Sequence, residues 1–446
     1  MAGSPLALKG GKPVVPPGAH VRWPVIHQED RAAVNRVLDR GVLSGPFAPE
    51  VRALEKDFAG YLGVRHCLAT NSGTAALHIA IAAAGIEPGD EVITTAYSFI
   101  ATALAVLQQG GIPVFVDIEP LTFGLDPALV ERAITPRTRA IVPVHIHGTP
   151  CEIEPLRQIA RRRKLVLIED AAQAHGAESG GRKVGTFGAM GCFSLQSSKS
   201  LACGEGGLFV TDDDELMARA NRTRMFGEDI RIADEADYDL ERALDGSRAY
   251  DSVAMGWMYR TNEMSAAMAR SQLARLDESN ARARRNAEAL GQHLRGLRGV
   301  TPPLVPADRT SCHHKYRVRL DAAAAGVDAP PRVVRDAVIR ALCAEGVDAV
   351  LWQTQPVPGQ TLFREKRGYG RGYPWTLGAP VDYDLAQYPQ TASLLDSSLI
   401  LFSQTHPIAP QPLSLCEAYA EAFEKVWTRL DEVLDAQPRP ARALAI

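Results

Sequence analysis

From residue 66 to residue 170 the chain repeats one pattern, a short apolar strand followed by a turn and a helix-forming stretch. Strand patterns fall at 66–70, 91–95, 113–117, 139–146 and 165–168, the last ending in Glu169-Asp170. Helix patterns separate them, opening at Asn71-Ser72-Gly73-Thr74 and then covering 99–108, 126–134 and 152–163. Strands alternating with helices at this spacing predict an α/β domain with a mainly parallel sheet, covered by helices on both faces. In such a sheet the ligand lies at the carboxyl ends of the strands, so the loops there carry the functional question.

Two helices precede this unit, at 23–43 with Asp30 in the first turn, and at 47–62 with Val51, Leu54, Phe58 and Leu62 on one face. A polar, acid-rich stretch at 227–253 reads as a mobile loop or insertion, and 262–290 as one long helix bridging two domains. After residue 299 the character changes to a smaller α+β unit, with strands at 316–320 and 347–352 and helices at 332–345 and 415–434. The expected organisation is an N-terminal arm (1–22), a large domain (23–298) and a small C-terminal domain (299–446), with residues 438–446 fraying. A chain of 446 residues with 46% apolar content can bury two such cores.

Net charge is −3, which makes no case for nucleic acid or an anionic membrane as partner. No apolar run approaches the ~20 residues of a membrane span. Residues 1–19 lack an apolar signal core, and the seven cysteines include no CxxC pair. Both features point to reduced thiols and a cytoplasmic chain.

Four loops at strand ends carry unusual residues. Ser72-Gly73-Thr74 opens a helix, where free N–H groups and the helix dipole suit a phosphate. Tyr97-Ser98-Phe99 places an aromatic ring just past a strand. Asp170 ends an apolar strand, where a buried carboxylate needs a cationic partner. The stretch FSLQSSKSLACGEGG, 193–207, holds Ser194 and Lys199 on a turn between two buried strands. Burial there lowers an amine's pKa and makes it a nucleophile towards carbonyls. Anion site, aromatic plate, aspartate and lysine together meet the needs of pyridoxal 5'-phosphate: phosphate on the helix N-terminus, ring against the aromatic, aspartate holding the ring nitrogen protonated, lysine bonded to the carbonyl carbon. No metal cluster competes.

The motifs NSGTAALHIA, EPGDEVITTAYSFIATA, VFVDI, IEDAAQAHGA, FSLQSSKSLACGEGG and YRTNEMSAAMARSQLARL occur here in the order found in sugar aminotransferases of the DegT/StrS type, and the chain resembles that family strongly over 23–276. The resemblance implies a fold-type-I, pyridoxal-phosphate-dependent enzyme with a mainly parallel seven-stranded sheet. It implies that Lys199 carries the cofactor, that Asp170 pairs with the ring nitrogen and that Gln173 lies on the ring's hydroxyl side. Ser72, Gly73 and Ser194 would hold the phosphate with Thr74 nearby, and Phe99 would stack on the ring. His175 is expected to be a satisfied structural histidine. In the family, the segment matching Met258-Tyr259-Arg260 reaches the neighbouring subunit's phosphate. The resemblance therefore implies a homodimer with Arg260 and Asn262 serving the partner's site, Met258 standing where the family has Asn.

A branch of the family that dehydrates sugars has histidine in place of the lysine, so Lys199 implies transamination. The opening LALKGGKPV resembles the branch that uses glutamine, which includes scyllo-inosose aminotransferases and aminohydroxybenzoate synthases. The expected reaction moves an amino group from L-glutamine, or L-glutamate, to a keto-cyclitol or keto-sugar of antibiotic biosynthesis. Rival expectations are a nucleotide-keto-sugar aminotransferase, an aromatising enzyme, and a non-catalytic partner subunit, the last opposed by intact Lys199 and Asp170.

Overall fold

The structure is a computed structural model and describes residues 4–45, 48–229 and 251–436. The expected helix start at Phe47, most of the acid-rich stretch 227–253 and the C-terminal tail lie outside the described residues. The alternation read from the sequence builds one seven-stranded sheet. Its strands are β1 (His66–Thr70), β2 (Glu91–Thr95), β3 (Ile112–Val116), β4 (Thr138–Val142), β5 (Val166–Asp170), β8 (Met190–Ser194) and β9 (Gly207–Thr211), a hairpin of β6 (Glu178–Ser179) and β7 (Arg182–Lys183) intervening. The order is β1-β9-β8-β5-β4-β2-β3. β9 runs antiparallel to both β1 and β8, and the other pairings are parallel. The strands are buried along nearly their whole length, as helices on both faces require.

Helices α1 (Gln28–Arg40) and α2 (Pro49–Leu62) precede the sheet, and α3 (Gly73–Ala83), α4 (Ala101–Gln108), α5 (Pro127–Ala133), α6 (Ile153–Arg163) and α7 (Asp214–Arg224) cover it. The strand expected over 139–146 is shorter. After Val142 the chain turns, and His147 sits at φ +58° with Gly148 at φ +90°.

The single bridging helix is two helices, α8 (Glu263–Leu273) and α9 (Leu276–Arg295). Their apolar residues serve different cores. Ala266 and Ala269 pack with α2, whereas Ala283, Ala287, Leu290 and Leu294 pack with the C-terminal helices. The axis breaks at Arg275, whose guanidinium is held at 2.5 Å by the buried Asp30. A second sheet follows, ordered β10 (Val300–Thr301), β12 (Tyr316–Leu320), β14 (Ser398–Leu401), β13 (Ala349–Val350), while β11 (Arg309–Thr310) pairs with β6. The strand expected over 347–352 is thus a two-residue edge, and the expected helix 415–434 divides into Leu413–Trp427 and Leu430–Leu434.

The N-terminal arm lacks long elements but is stitched down. Leu6 and Val15 are buried in the C-terminal core. The Ala7 and Val14 N–H groups donate to the Glu345 carboxylate at 2.8 and 3.2 Å, and Lys425 pairs with the same carboxylate at 2.9 Å.

Glu263, fully buried, closes the N-terminus of α2. Its carboxylate accepts the Glu50 and Val51 N–H groups at 3.1 and 2.8 Å and the Arg40 guanidinium at 2.6 Å. Removing one member of a buried charged set leaves the other uncompensated. Glu263→Ala is therefore expected to cost about 3 kcal/mol of stability, read as a lower urea midpoint at an unchanged slope. An unmoved midpoint would show that solvent replaces these bonds.

Candidate active site

The strand ends converge on one cavity of about 330 Å³, within the scale of small-molecule sites. Ser72, Gly73 and Thr74 line it from the start of α3, and Phe99 from the loop after β2. Asp170, Gln173, Ser194 and Lys199 complete the set, so eight of the ten residues singled out from the sequence meet here.

The anion end is built by close backbone approach. The Ser72 hydroxyl accepts the Ala75 N–H at 3.0 Å and caps α3. The Gly73 and Thr74 N–H groups, in the first turn, are left without intrahelical partners. A Cβ at Gly73 would sit 2.7 Å from the Ser194 Cβ, and one at Gly207 would sit 2.3 Å from the Ser72 carbonyl oxygen. Both positions need glycine because α3, β8 and β9 come together here without room for a side chain.

Asp170 occupies the opposite end. It is 4% exposed. One carboxylate oxygen accepts the Thr102 hydroxyl at 2.7 Å and the other the Ala172 N–H at 3.0 Å. Burial raises its pKa, opposed by those two bonds and by the Lys199 charge. Behind it, the Glu169 carboxylate takes the N–H groups of Gly185, Phe187 and Gly188 at 2.8, 2.6 and 2.7 Å and lies 2.9 Å from His145 Nε2. The Cys151 N–H donates to His145 Nδ1 at 3.2 Å, so Nε2 carries the proton and donates to Glu169. This network pins the end of β5 from which Asp170 projects.

Lys199 lies on the turn between β8 and β9. Burial lowers its pKa to about 8, opposed by Asp170, which is the perturbation a nucleophilic amine needs. Its carbonyl accepts the Trp23 indole N–H at 3.1 Å, so the arm holds the lysine loop from behind. Gln173 Oε1 accepts the His147 N–H at 3.0 Å. Phe99 is 56% exposed, its ring unpacked by the core and available to the cavity.

His175 is fully buried against Phe193. Burial holds its pKa down at about 3, opposed by the Ser194 backbone, so it is a neutral ring packed in the core. Arg260 and Asn262 do not line the cavity of their own chain. Asn262 caps α8 by accepting the Ser265 N–H at 2.9 Å. Arg260 has a buried Nε without a partner, and its Nη1 lies 3.7 Å from Met225 Sδ. The sequence reading missed Thr102, whose signal was a hydroxyl in the first apolar turn of α4. It also missed His314, Trp352 and Gln404, which reach the cavity from the C-terminal part and have no local signal.

The residues fit pyridoxal phosphate. A glycine-lined helix start faces one end, a buried carboxylate with no cation bonded to it the other, and a lysine of lowered pKa stands between. When bound, the cofactor supplies an electron sink for the carbon that loses a proton.

A model of the DegT/DnrJ/EryC1/StrS aminotransferase family matches residues 24–377. The chain is 41% identical over 315 residues, 69% of its length and 72% of the relative's, to an L-glutamine:2-deoxy-scyllo-inosose aminotransferase of Streptoalloteichus tenebrarius. It is 35% identical over 438 residues, 96% of its length and 99% of the relative's, to an L-glutamine:scyllo-inosose aminotransferase of Streptomyces griseus. The crystal structure of 3-amino-5-hydroxybenzoic acid synthase superimposes with a TM-score of 0.78 at 28% identity, covering 91% of this chain and 97% of that one.

Proposed function

Because the chain belongs to the DegT/DnrJ/EryC1/StrS aminotransferase family, we propose that it transfers the amino group of L-glutamine to the keto group of a cyclitol, in an antibiotic pathway. The observation that carries this reading is the end-to-end similarity to the scyllo-inosose enzyme, on a site that keeps Lys199 and Asp170. Lys199 Nζ would hold the cofactor and is the group that the donor's amine would displace. The freed amine, of lowered basicity, then moves the proton from the donor's α-carbon. Asp170, backed by Thr102, keeps the ring nitrogen protonated. The small-domain residues His314, Trp352 and Gln404 bound the space left for the substrates. The donor leaves as its keto acid before the acceptor enters, so the kinetics are ping-pong. Assay of scyllo-inosose, 2-deoxy-scyllo-inosose and nucleotide-linked keto-sugars with glutamine tests the acceptor. Turnover of the cyclitols supports the reading, and turnover confined to nucleotide sugars overturns it.

The working unit is a homodimer of cytoplasmic chains, each with a large cofactor domain (23–298) and a small domain (299–446). All seven cysteines are free, in keeping with a reducing compartment, and no helix among the described residues is long and apolar enough to cross a membrane. Phe226, Val253, Met255 and Met258 are 48%, 59%, 77% and 42% exposed, on two segments that the bridges Met225–Met258 and Glu228–Ser252 hold side by side. Exposed apolar side chains in such a group favour cover by a second protein surface. Arg260 and Asn262 follow this patch in sequence and would serve the partner's phosphate. Lys199→Ala and Arg260→Ala chains, each inactive alone, are expected to regain part of the activity when mixed, because one hybrid site then carries both defects and the other neither. Subunit exchange proven by mass without recovered activity would refute a shared site.

A further inference from the structure

An α-amino acid donor carries a carboxylate on the same carbon as its reacting amine. When that amine is at Lys199, the carboxylate lies a few ångströms away and needs a cation or a set of donors. The cavity lining holds the carboxylates of Asp170 and Glu205 but, besides Lys199 itself, no lysine or arginine. Lys199 is committed to the chemistry, so the charge must come from just outside the lining.

Lys315 stands there. It follows His314, which lines the cavity, and its N–H donates to the His147 carbonyl at 3.3 Å. Only 4% of the residue is exposed, yet its ammonium makes no hydrogen bond or ion pair among the described residues. A buried ammonium without a partner is costly. The contrast is Lys425, whose ammonium meets Glu345 at 2.9 Å. Burial lowers the Lys315 pKa to about 7, and the nearby Lys199 charge adds to the shift. Asp348 opposes it, but the same Asp348 oxygen is engaged by the Ser403 N–H at 3.3 Å and His406 at 3.0 Å.

The surroundings are those of an anion site. Tyr316, Val318 and Leu320 of β12 face the C-terminal core, so the alternate residues face the seam with the large domain. Arg317 there bonds the Ser398 hydroxyl at 2.6 Å and the Trp352 carbonyl at 2.8 Å and lies over the Tyr97 ring. Arg319 bonds the Pro120 carbonyl at 3.0 Å. Neither meets a carboxylate among the described residues. The seam next to Lys315 thus carries two further cations, and Asp348 is the carboxylate that acts on Lys315.

Resting on the amino-acid-donor reading above, we propose that Lys315 recognises the α-carboxylate of the donor. It is a specificity residue: it selects an α-amino acid over an amine without a carboxylate, and plays no part with the keto-cyclitol.

The test follows the visible absorbance of the lysine-bound cofactor in the parent, Lys315→Met and Lys315→Arg enzymes. Each is mixed with L-glutamine, with L-glutamate, and with hydroxylamine, which attacks the same carbon but has no carboxylate. Lys315→Met is expected to raise the half-saturating donor concentration at least ~10-fold, while the starting absorbance and the hydroxylamine rate stay at parent values. Lys315→Arg, which keeps the charge, should restore most of the donor response. An unchanged donor response in Lys315→Met, or equal losses with donor and hydroxylamine, overturns the assignment. Lys315→Gln reads the same way if the methionine variant does not fold. If the parent enzyme itself is not converted by any amino acid, the donor reading fails and this assignment falls with it.

Discussion

Lys199→Ala is expected to lower amino transfer by at least ~10,000-fold, the upper range for removing a positioned acid–base group, and to abolish the visible absorbance of the lysine-bound cofactor. The reason is that one nitrogen has two duties. As proposed, it would hold the cofactor and, once the donor's amine had replaced it, would carry the α-proton. Its burial on the turn between β8 and β9 lowers its pKa to about 8, so about a tenth is unprotonated at pH 7, against well under a thousandth for an ordinary lysine, and can accept a proton. Besides the Glu205 carboxylate, no other group lining the cavity is free to replace it. Gln196, Ser198 and Thr102 are poor bases, Asp170 is committed to the ring nitrogen, and His314 is held neutral, well below its ordinary pKa, by burial. The fold should survive, since the loop is held by backbone bonds such as Lys199 N–H to the Gln196 carbonyl at 2.8 Å and by Trp23 on the Lys199 carbonyl. A variant that folds and turns over at the parent rate would remove Lys199 from the mechanism.

Asp170→Asn is expected to leave cofactor bound but to slow loss of the donor's α-proton by about 1000-fold, equivalent to ~4 kcal/mol of transition-state stabilisation. The amide keeps the volume and can still accept one of the two bonds from Thr102 and Ala172. It cannot hold a positive ring nitrogen, and a neutral ring is a weaker electron sink. Single-turnover kinetics with donor deuterated at the α-carbon isolate this step. A parent-like rate with an undiminished isotope effect would show that the carboxylate only positions the ring. Loss of bound cofactor instead would assign Asp170 mainly to binding.

These two residues were legible in the sequence because local spacing fixes them. Asp170 ends an apolar strand and Lys199 stands on the loop joining two others, so any sheet containing those strands delivers both to one edge. The same holds for Ser72 and Gly73 at a helix start. The mostly parallel sheet was legible for a related reason, since strand and helix periods alternate without ambiguity between His66 and Asp170. What was hidden depends on distant packing. Thr102 becomes a partner of Asp170 only when the start of α4, packed on β2 and β3, meets the end of β5. His314, Trp352, Gln404 and Lys315 follow the lysine by more than a hundred residues and meet it only when β12 closes on the large domain. The break between α8 and α9 was invisible for another reason. The helical period continues through Arg275, and only the pull of the buried Asp30 and the demand of two separate cores divide it.

The central claim is that this site carries an α-amine from glutamine to a carbocyclic ketone. It is tested most directly by incubating the cofactor-loaded enzyme with scyllo-inosose and L-glutamine labelled with ¹⁵N either at the α-amine or at the side-chain amide, and following the label into the aminocyclitol. The account predicts label in the product from the α-amine alone. Unlabelled product, label arriving from the amide, or no aminated product from this or the 2-deoxy ketone would contradict it.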